Sequence, residues 1–215
     1  MASFSRQRRR TLAVASVLML GALALGGCVG SLQQDNVEAT AQHGEQVVAE
    51  IPGLARAFGE ESVSELSETS CTSSLDPDTA PRNTRWRGSV VVSVPTDRDA
   101  RERAEAVREY AESNDWLTQD RGSSHPGVER LYTATQDELT LTINANARGD
   151  NPEISLTVVS PCLEKPAGHT MTRSELDPMY GSSDPLYPND DRSKFTNGEP
   201  KPLPEPSDDS PSPRP

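Results

Sequence analysis

Hydrophobic and polar positions alternate most regularly over residues 139–147. Leu139, Leu141, Ile143, Ala145 and Ala147 fall on one side, with Thr140, Thr142, Asn144 and Asn146 on the other. This period-two pattern is that of a strand with one buried face. Ile154, Leu156 and Val158 alternate in the same way with Ser155 and Thr157, after a turn at residues 148–152. Residues 128–135 supply a third strand, joined to 139–147 by a tight turn at Gln136-Asp137. Upstream, WRGSVVVSV (86–94) is rich in β-branched residues, and Pro95 ends it.

The period then changes. Thr96-x-x-Asp99 is a helix-capping signal, and Ala100, Ala104, Val107 and Ala111 recur at helical spacing, with Leu117 beyond. Arg101, Glu102, Glu105, Arg108, Glu109 and Glu112 cover the other face as opposite charges three or four apart, which marks a solvated helix surface. Asn114 suits a left-handed cap, Trp116 is expected to fold back onto the sheet, and 117–119 reads as a short strand before the loop RGSSHPG. Residues 37–51 place Val37, Ala41, Val48 and Ile51 near one helical face, with Glu38, Gln42, Glu45 and Gln46 polar. Pro52-Gly53 is expected to break that helix, with 54–58 adding a turn.

Together these elements predict an α+β domain over residues 37–164. It comprises a two-layer antiparallel sheet of about four to five strands with two helices packed on one face. Residues 60–83, rich in Ser, Thr, Asp, Glu and Pro, read as a loop pinned only by Cys71. After residue 165 the composition shifts: eleven of the 18 prolines lie there, with Ser, Asp and Glu and little that is apolar. Such a chain buries too little surface to offset its ordering entropy, so 165–215 is expected to be disordered. The patches SELDPMYG and SSDPLYP, with Met179, Tyr180, Leu186 and Tyr187, read as scattered exposed side chains.

The chain opens on a third pattern. Arg6, Arg8, Arg9 and Arg10 precede an apolar run of about fourteen residues, the h-region length of a signal peptide, too short to span a bilayer. Leu25-Gly26-Gly27-Cys28 comes next. This stretch resembles the lipobox of bacterial lipoproteins. The resemblance implies a signal peptide over 1–27, cleavage before Cys28, and a diacylglyceryl group on the Cys28 thiol. Two acyl chains suffice for stable anchoring, so the expected address is the extracytoplasmic face of a cell membrane, with 28–36 as lipidated cysteine and polar spacer. The arginine run leaves the export route, general secretory or twin-arginine, open.

With Cys28 assigned to lipid, Cys71 and Cys162 remain as an even pair in an oxidising compartment, and a disulfide is expected between them. The alternative, a metal site, finds no C-x-x-C and no histidine at ligand spacing. The whole chain has a formal net charge of -12; without 1–27 it keeps 17 basic against 33 acidic residues, or -16. That surface repels phosphate backbones, so no nucleic-acid partner is expected.

From Trp86 to Cys162 the order of elements is similar to a class of small actinobacterial lipoproteins of unknown function. The matching features are WRGSVVVSV, the helix DARERAEAVREYAESNDW, a strand pair and a closing VVSPC. The resemblance covers about eighty residues and implies an envelope address and a fold, with no activity. Asn114-Asp115 departs from it where glycine is the commoner helix stop.

Chemical motifs are sparse. His43, His125 and His169 lie in a helix, a loop and the tail entrance, away from any G-x-S-x-G, H-E-x-x-H, P-loop or dinucleotide fingerprint. The Ser123, Ser124 and His125 loop could hold a Ser/His pair, but such residues are ordinary in loops. A non-enzyme without cofactor or metal is therefore expected. The preferred reading is a tethered interaction module whose partner is an envelope protein or wall polymer. The alternative is a small-ligand or lipid binder using space between helix and sheet, with Trp86 and Trp116 lining it.

Overall fold

The computed structural model describes residues 28–71, 83–119, 128–146, 152–165 and 168–206, with side chains from residue 37 onward. Helix α1 spans Cys28–Ala57, strand β1 Glu65–Ser70, β2 Asn83–Ser93, helix α2 Asp97–Ser113, β3 Leu117–Thr118, β4 Val128–Gln136, β5 Leu139–Asn146, β6 Glu153–Val159 and β7 Leu163–Glu164. The strands form one antiparallel sheet in the order β1-β2-β6-β5-β4-β3, with β7 pairing the start of β2. The α+β class is as read from sequence, but with seven strands among the described residues the sheet is larger than expected.

Register places the apolar positions on one face. Val90 opposes Leu156, which opposes Ile143, which opposes Tyr132, and all four are buried. Both helices cover this face. Gly88 of β2 lies against Ile51 of α1, while Arg101 and Glu112 of α2 meet Glu129 of β4 and Thr118 of β3. Helix α2 is as the spacing dictates: Thr96 is its N-cap and Ala100, Ala104, Val107 and Ala111 are its buried residues. Trp116 is buried as expected, but Leu117 is exposed. The left-handed residue is Asp115, φ 64°, not Asn114, φ -116°. The β4–β5 turn is Asp137-Glu138, both at positive φ, one residue beyond the expected position.

Four further expectations need correction. The polar spacer is helical, because α1 begins at Cys28. Pro52 does not break α1, which runs on to Ala57. A mid-helix proline costs about 3 kcal/mol, and burial of Ile51, Leu54, Ala55 and Phe58 around it offsets that cost. The buried stripe of α1 is also rotated from the expected face. Thr40, His43, Gly44, Val47 and Ile51 point inward, whereas Val37 and Ala41 are exposed. Gly44 sets this phase, since a Cβ there would stand 2.5 Å from the Trp86 ring. Finally, the 60–83 loop contains β1, whose only apolar side chain, Leu66, sits over Gly88.

The largest departure is at the C-terminus. Composition predicts disorder over residues 168–206, yet they pack onto the β1 edge; 207–215 lie outside the described residues. Thr172 O accepts from Glu68 N at 2.8 Å and Ser174 N donates to Leu66 O at 2.9 Å, extending the sheet beyond β1. Arg173, only 7% exposed at its side chain, organises the next seventeen residues, up to Asp190. Its guanidinium donates to Met179 O (2.6 Å), Ser182 Oγ (3.2 Å) and Asp184 Oδ2 (3.1 Å). It also approaches Asp177 and Asp190 and stacks 3.8 Å above the Tyr187 ring. Asp177 in turn accepts from Leu66 N at 2.7 Å, and Tyr187 Oη donates to Glu68 O at 2.7 Å. The segment returns to the end of α1, where Leu203 N meets Glu61 O and Arg56 donates to Pro204 O. We call it the clasp.

Candidate functional site

Cys28 is the first residue of α1, but its side chain and Leu25, Gly26 and Gly27 lie outside what is described. Cys71 and Cys162 are joined as expected, S–S 2.11 Å. The bond ties the end of β1 to the segment following β6. Of the histidines, His125, with Ser123 and Ser124, lies outside the described residues. His169 and His43 both serve carboxylates. His169 Nε2 lies 2.8 and 2.9 Å from the two oxygens of Glu68, whose side chain is wholly buried. This pair fastens the start of the clasp. The α2 carboxylates Glu102, Glu105 and Glu112 are bound by Arg98 and Arg108, as a solvated helix face predicts.

Several unmatched polar atoms lie beside α1. On α1, His43, Gln46 and Glu50 recur at intervals of three and four, so they share one face. Opposite them stands the Asp137-Glu138 turn. His43 Nε2 lies 3.4 Å from Glu138 Oε2, while its Nδ1 is buried without a partner. Gln46 Oε1 and Gln136 Oε1 are also buried and unpartnered, although Gln136 Nε2 reaches Asn114 O at 3.0 Å. Burial pushes the Glu50 carboxyl above its ordinary range, the neighbouring Trp116 indole acts to lower it, and Asp137 raises it again. The Trp116 Nε1–H nevertheless makes no hydrogen bond of normal geometry. Burial likewise raises the Tyr110 phenol, Glu50 adds to the rise and Arg56 opposes it. Tyr110 fills the notch at Gly53, where a Cβ would stand 1.9 Å from its hydroxyl.

This junction was not foreseen. The sequence pattern assigned Gln46 to solvent and passed over Glu50. The signal was present as the polar stripe 43-46-50, but only the buried phase of α1 gives it meaning. Chemically the junction holds acceptors and a histidine. Among the described residues no hydroxyl or thiol bonds to either His43 nitrogen, so no nucleophile–base pair is assembled there. No group of three metal-ligating side chains is present among the described residues.

The sheet face away from the helices carries Ser, Thr and Asn. Thr133, Thr142, Thr157 and Ser89 form one cross-strand row. Arg85, Arg87 and Arg130 share this side, with Glu65, Glu153 and Glu164 at its rim. Ser89 and Thr133 are nevertheless buried, Arg87 pairs with Glu65, and the Thr133 hydroxyl and the Nε atoms of Arg85 and Arg130 are buried without a hydrogen-bond partner among the described residues.

The chain matches no protein-family model, no curated protein and no solved structure.

Proposed function

We propose that the protein is a non-catalytic interaction module tethered by lipid on Cys28 to the extracytoplasmic face of a membrane. The observation that carries this reading is the opening stretch, in which a basic start and a short apolar run end in Leu25-Gly26-Gly27-Cys28. The Cys71–Cys162 bond fits an oxidising compartment, and among the described residues no helix is long and apolar enough to cross a membrane. The partner is an envelope protein or a wall polymer. Close packing between helix and sheet weighs against the alternative of a lipid or metabolite held there: Gly44 meets the Trp86 ring and Gly88 meets Ile51 and Leu66.

Cell fractionation tests the tether. Cys28→Ala should abolish processing or move the protein out of the membrane fraction. A variant still cut before residue 28 and still membrane-bound would end the lipoprotein reading.

A further inference from the structure

The outward edge of β1 is closed by a surrogate for a strand. All four backbone groups of Leu66 and Glu68 on that edge are met by the clasp, but only two of them by its backbone: Ser174 N donates to Leu66 O, and Thr172 O accepts from Glu68 N. Side chains meet the other two, with Asp177 Oδ2 accepting from Leu66 N and Tyr187 Oη donating to Glu68 O. Strand β1 has its own means of staying in place. It pairs with β2 from Glu65 to Ser70, and the Cys71–Cys162 bond fastens its end. Among the described residues, the buried core of helices and sheet includes Leu66 and no clasp residue; Leu176 and Leu203 lie against that core, and Met171 and Tyr187 are buried outside it. The clasp also supplies charge. The side chain of Glu68 is wholly buried, and its ion-pair partner among the described residues is His169, a clasp residue. Any other occupant of the edge that buries Glu68 again must bring a cation of its own.

We propose that the β1 edge is a strand-docking site that the clasp holds closed, and that its partner is an extended protein segment which replaces the clasp and sets a basic side chain on Glu68. Strand addition at a sheet edge draws affinity from main-chain hydrogen bonds and selectivity from alternate side chains. A partner strand supplies from its backbone the two contacts for which the clasp uses Asp177 and Tyr187. Selectivity comes from Glu68, which accepts a strand with a cation at that position and rejects an acidic or apolar one. The formal net charge of -12 draws basic segments toward the body in the same sense. The clasp is then an intramolecular competitor, kept near the edge by its short connection to β7. This gives the interaction reading a surface and rests on that reading, but not on Cys28 or its lipid.

The test uses the full chain, with a dye-labelled peptide of its own residues 168–190 as the probe strand and fluorescence anisotropy as the readout. The wild-type chain should bind this peptide weakly, because its own clasp competes at an effective concentration on the order of 1 mM. Arg173→Met loosens the clasp and should tighten binding of the peptide by about tenfold or more. Tyr187→Phe, which removes only the hydroxyl on Glu68 O, should act in the same direction and serves if the first variant does not fold. Hydrogen exchange locates the probe: the Leu66 and Glu68 amides should exchange faster in the loosened chains, and saturating peptide should slow them again. His169→Leu in the peptide should weaken binding about tenfold, and Glu68→Gln in the chain should erase that difference. The site is overturned by any of three results: no saturable binding to either loosened chain, bound peptide that leaves the Leu66 and Glu68 amides fast, or equal affinity of the two peptides for a chain that keeps Glu68. Uniform loss of protection through β5 and β6 in both variants would make the clasp part of the core and overturn it as well. Dimerisation of the loosened chain that the peptide cannot reverse would assign the edge to a second copy's clasp, against a partner strand. None of these results bears on Cys28, whose fractionation stands separately.

Discussion

In the sheet, Leu141, Ile143, Ile154, Leu156 and Val158 lose all exposure, each contributing about 1.5–3 kcal/mol through removal of apolar surface from water. The clasp buries Met171 and lays Leu176 and Leu203 against the core, but Arg173, Asp177 and Tyr187 also hold it, joined by hydrogen bonds and ion pairs to the β1 backbone and to each other. Composition foretells the first kind of order because apolar burial scales with apolar content. It misses the second, which needs few apolar side chains, several polar groups in the right geometry and a chain with little entropy to lose. Pro178, Pro185 and Pro188 supply that stiffness by restricting the unfolded segment. A polar, proline-rich stretch is then ordered, provided an edge strand offers unpaired backbone and the segment brings its own buried cation.

Ways to break this comparison differ in size. The greatest effect is expected from the disulfide, which holds the edge strand that the clasp uses. With Cys71 and Cys162 separated by 91 positions, the chain-entropy account assigns the bond about 4.6 kcal/mol. The double replacement by serine should lower the urea midpoint by a corresponding amount, and an unchanged midpoint would show that the bond adds nothing to what the sheet already fixes. Next comes Arg173→Met, which leaves Asp177 and Asp190 buried without their cation and should cost about 3–5 kcal/mol. Hydrogen exchange decides where that cost appears. Selective loss of protection in 168–206, with sheet amides still slow, makes the clasp a separate unit; uniform loss makes it part of the core.

Smaller changes sharpen the contrast from the core side. Thr96→Ala removes the α2 N-cap, whose hydroxyl accepts from Asp99 N. It should lower stability by about 1 kcal/mol in thermal denaturation without altering clasp protection. The least effect is expected from Glu50→Gln, and it depends on pH. Because folding raises the Glu50 carboxyl, the native state holds that proton more tightly than the unfolded chain. This favourable contribution is complete below the ordinary glutamate value of 4.5 and is lost as pH rises through the folded value. Glu50→Gln should therefore raise the melting temperature slightly at pH 7, with the gain fading at acid pH. A gain that grows on acidification would contradict the direction of the shift.

These two regions also explain what was legible in advance. Ala100, Ala104, Val107 and Ala111 announced both α2 and its buried face, and the strict alternation of 139–146 and 154–158 announced the central strands. The Cys71–Cys162 pairing came from counting alone. Local pattern failed where a distant contact decides. The phase of α1 depends on Gly44 meeting Trp86, forty-two residues away in sequence. Strand β1 has one apolar side chain and exists because β2 lies beside it and the clasp beyond it. The α1–turn junction was invisible for the same reason, since Gln46 and Glu50 acquire their meaning from the Asp137-Glu138 turn.

The continuity of α1 adds a mechanical consequence. From Cys28 to Thr40, the first buried side chain among those described, the helix runs without a proline or glycine except Gly30, a distance of about 18 Å at 1.5 Å per residue. On the tethered reading, the attachment point is a rod with a fixed compass bearing, and each residue inserted between positions 30 and 37 turns the body about 100° around that rod. Adding one residue would swing the acceptor-rich junction to a different side, whereas adding seven would nearly restore its heading and lift it about 10 Å.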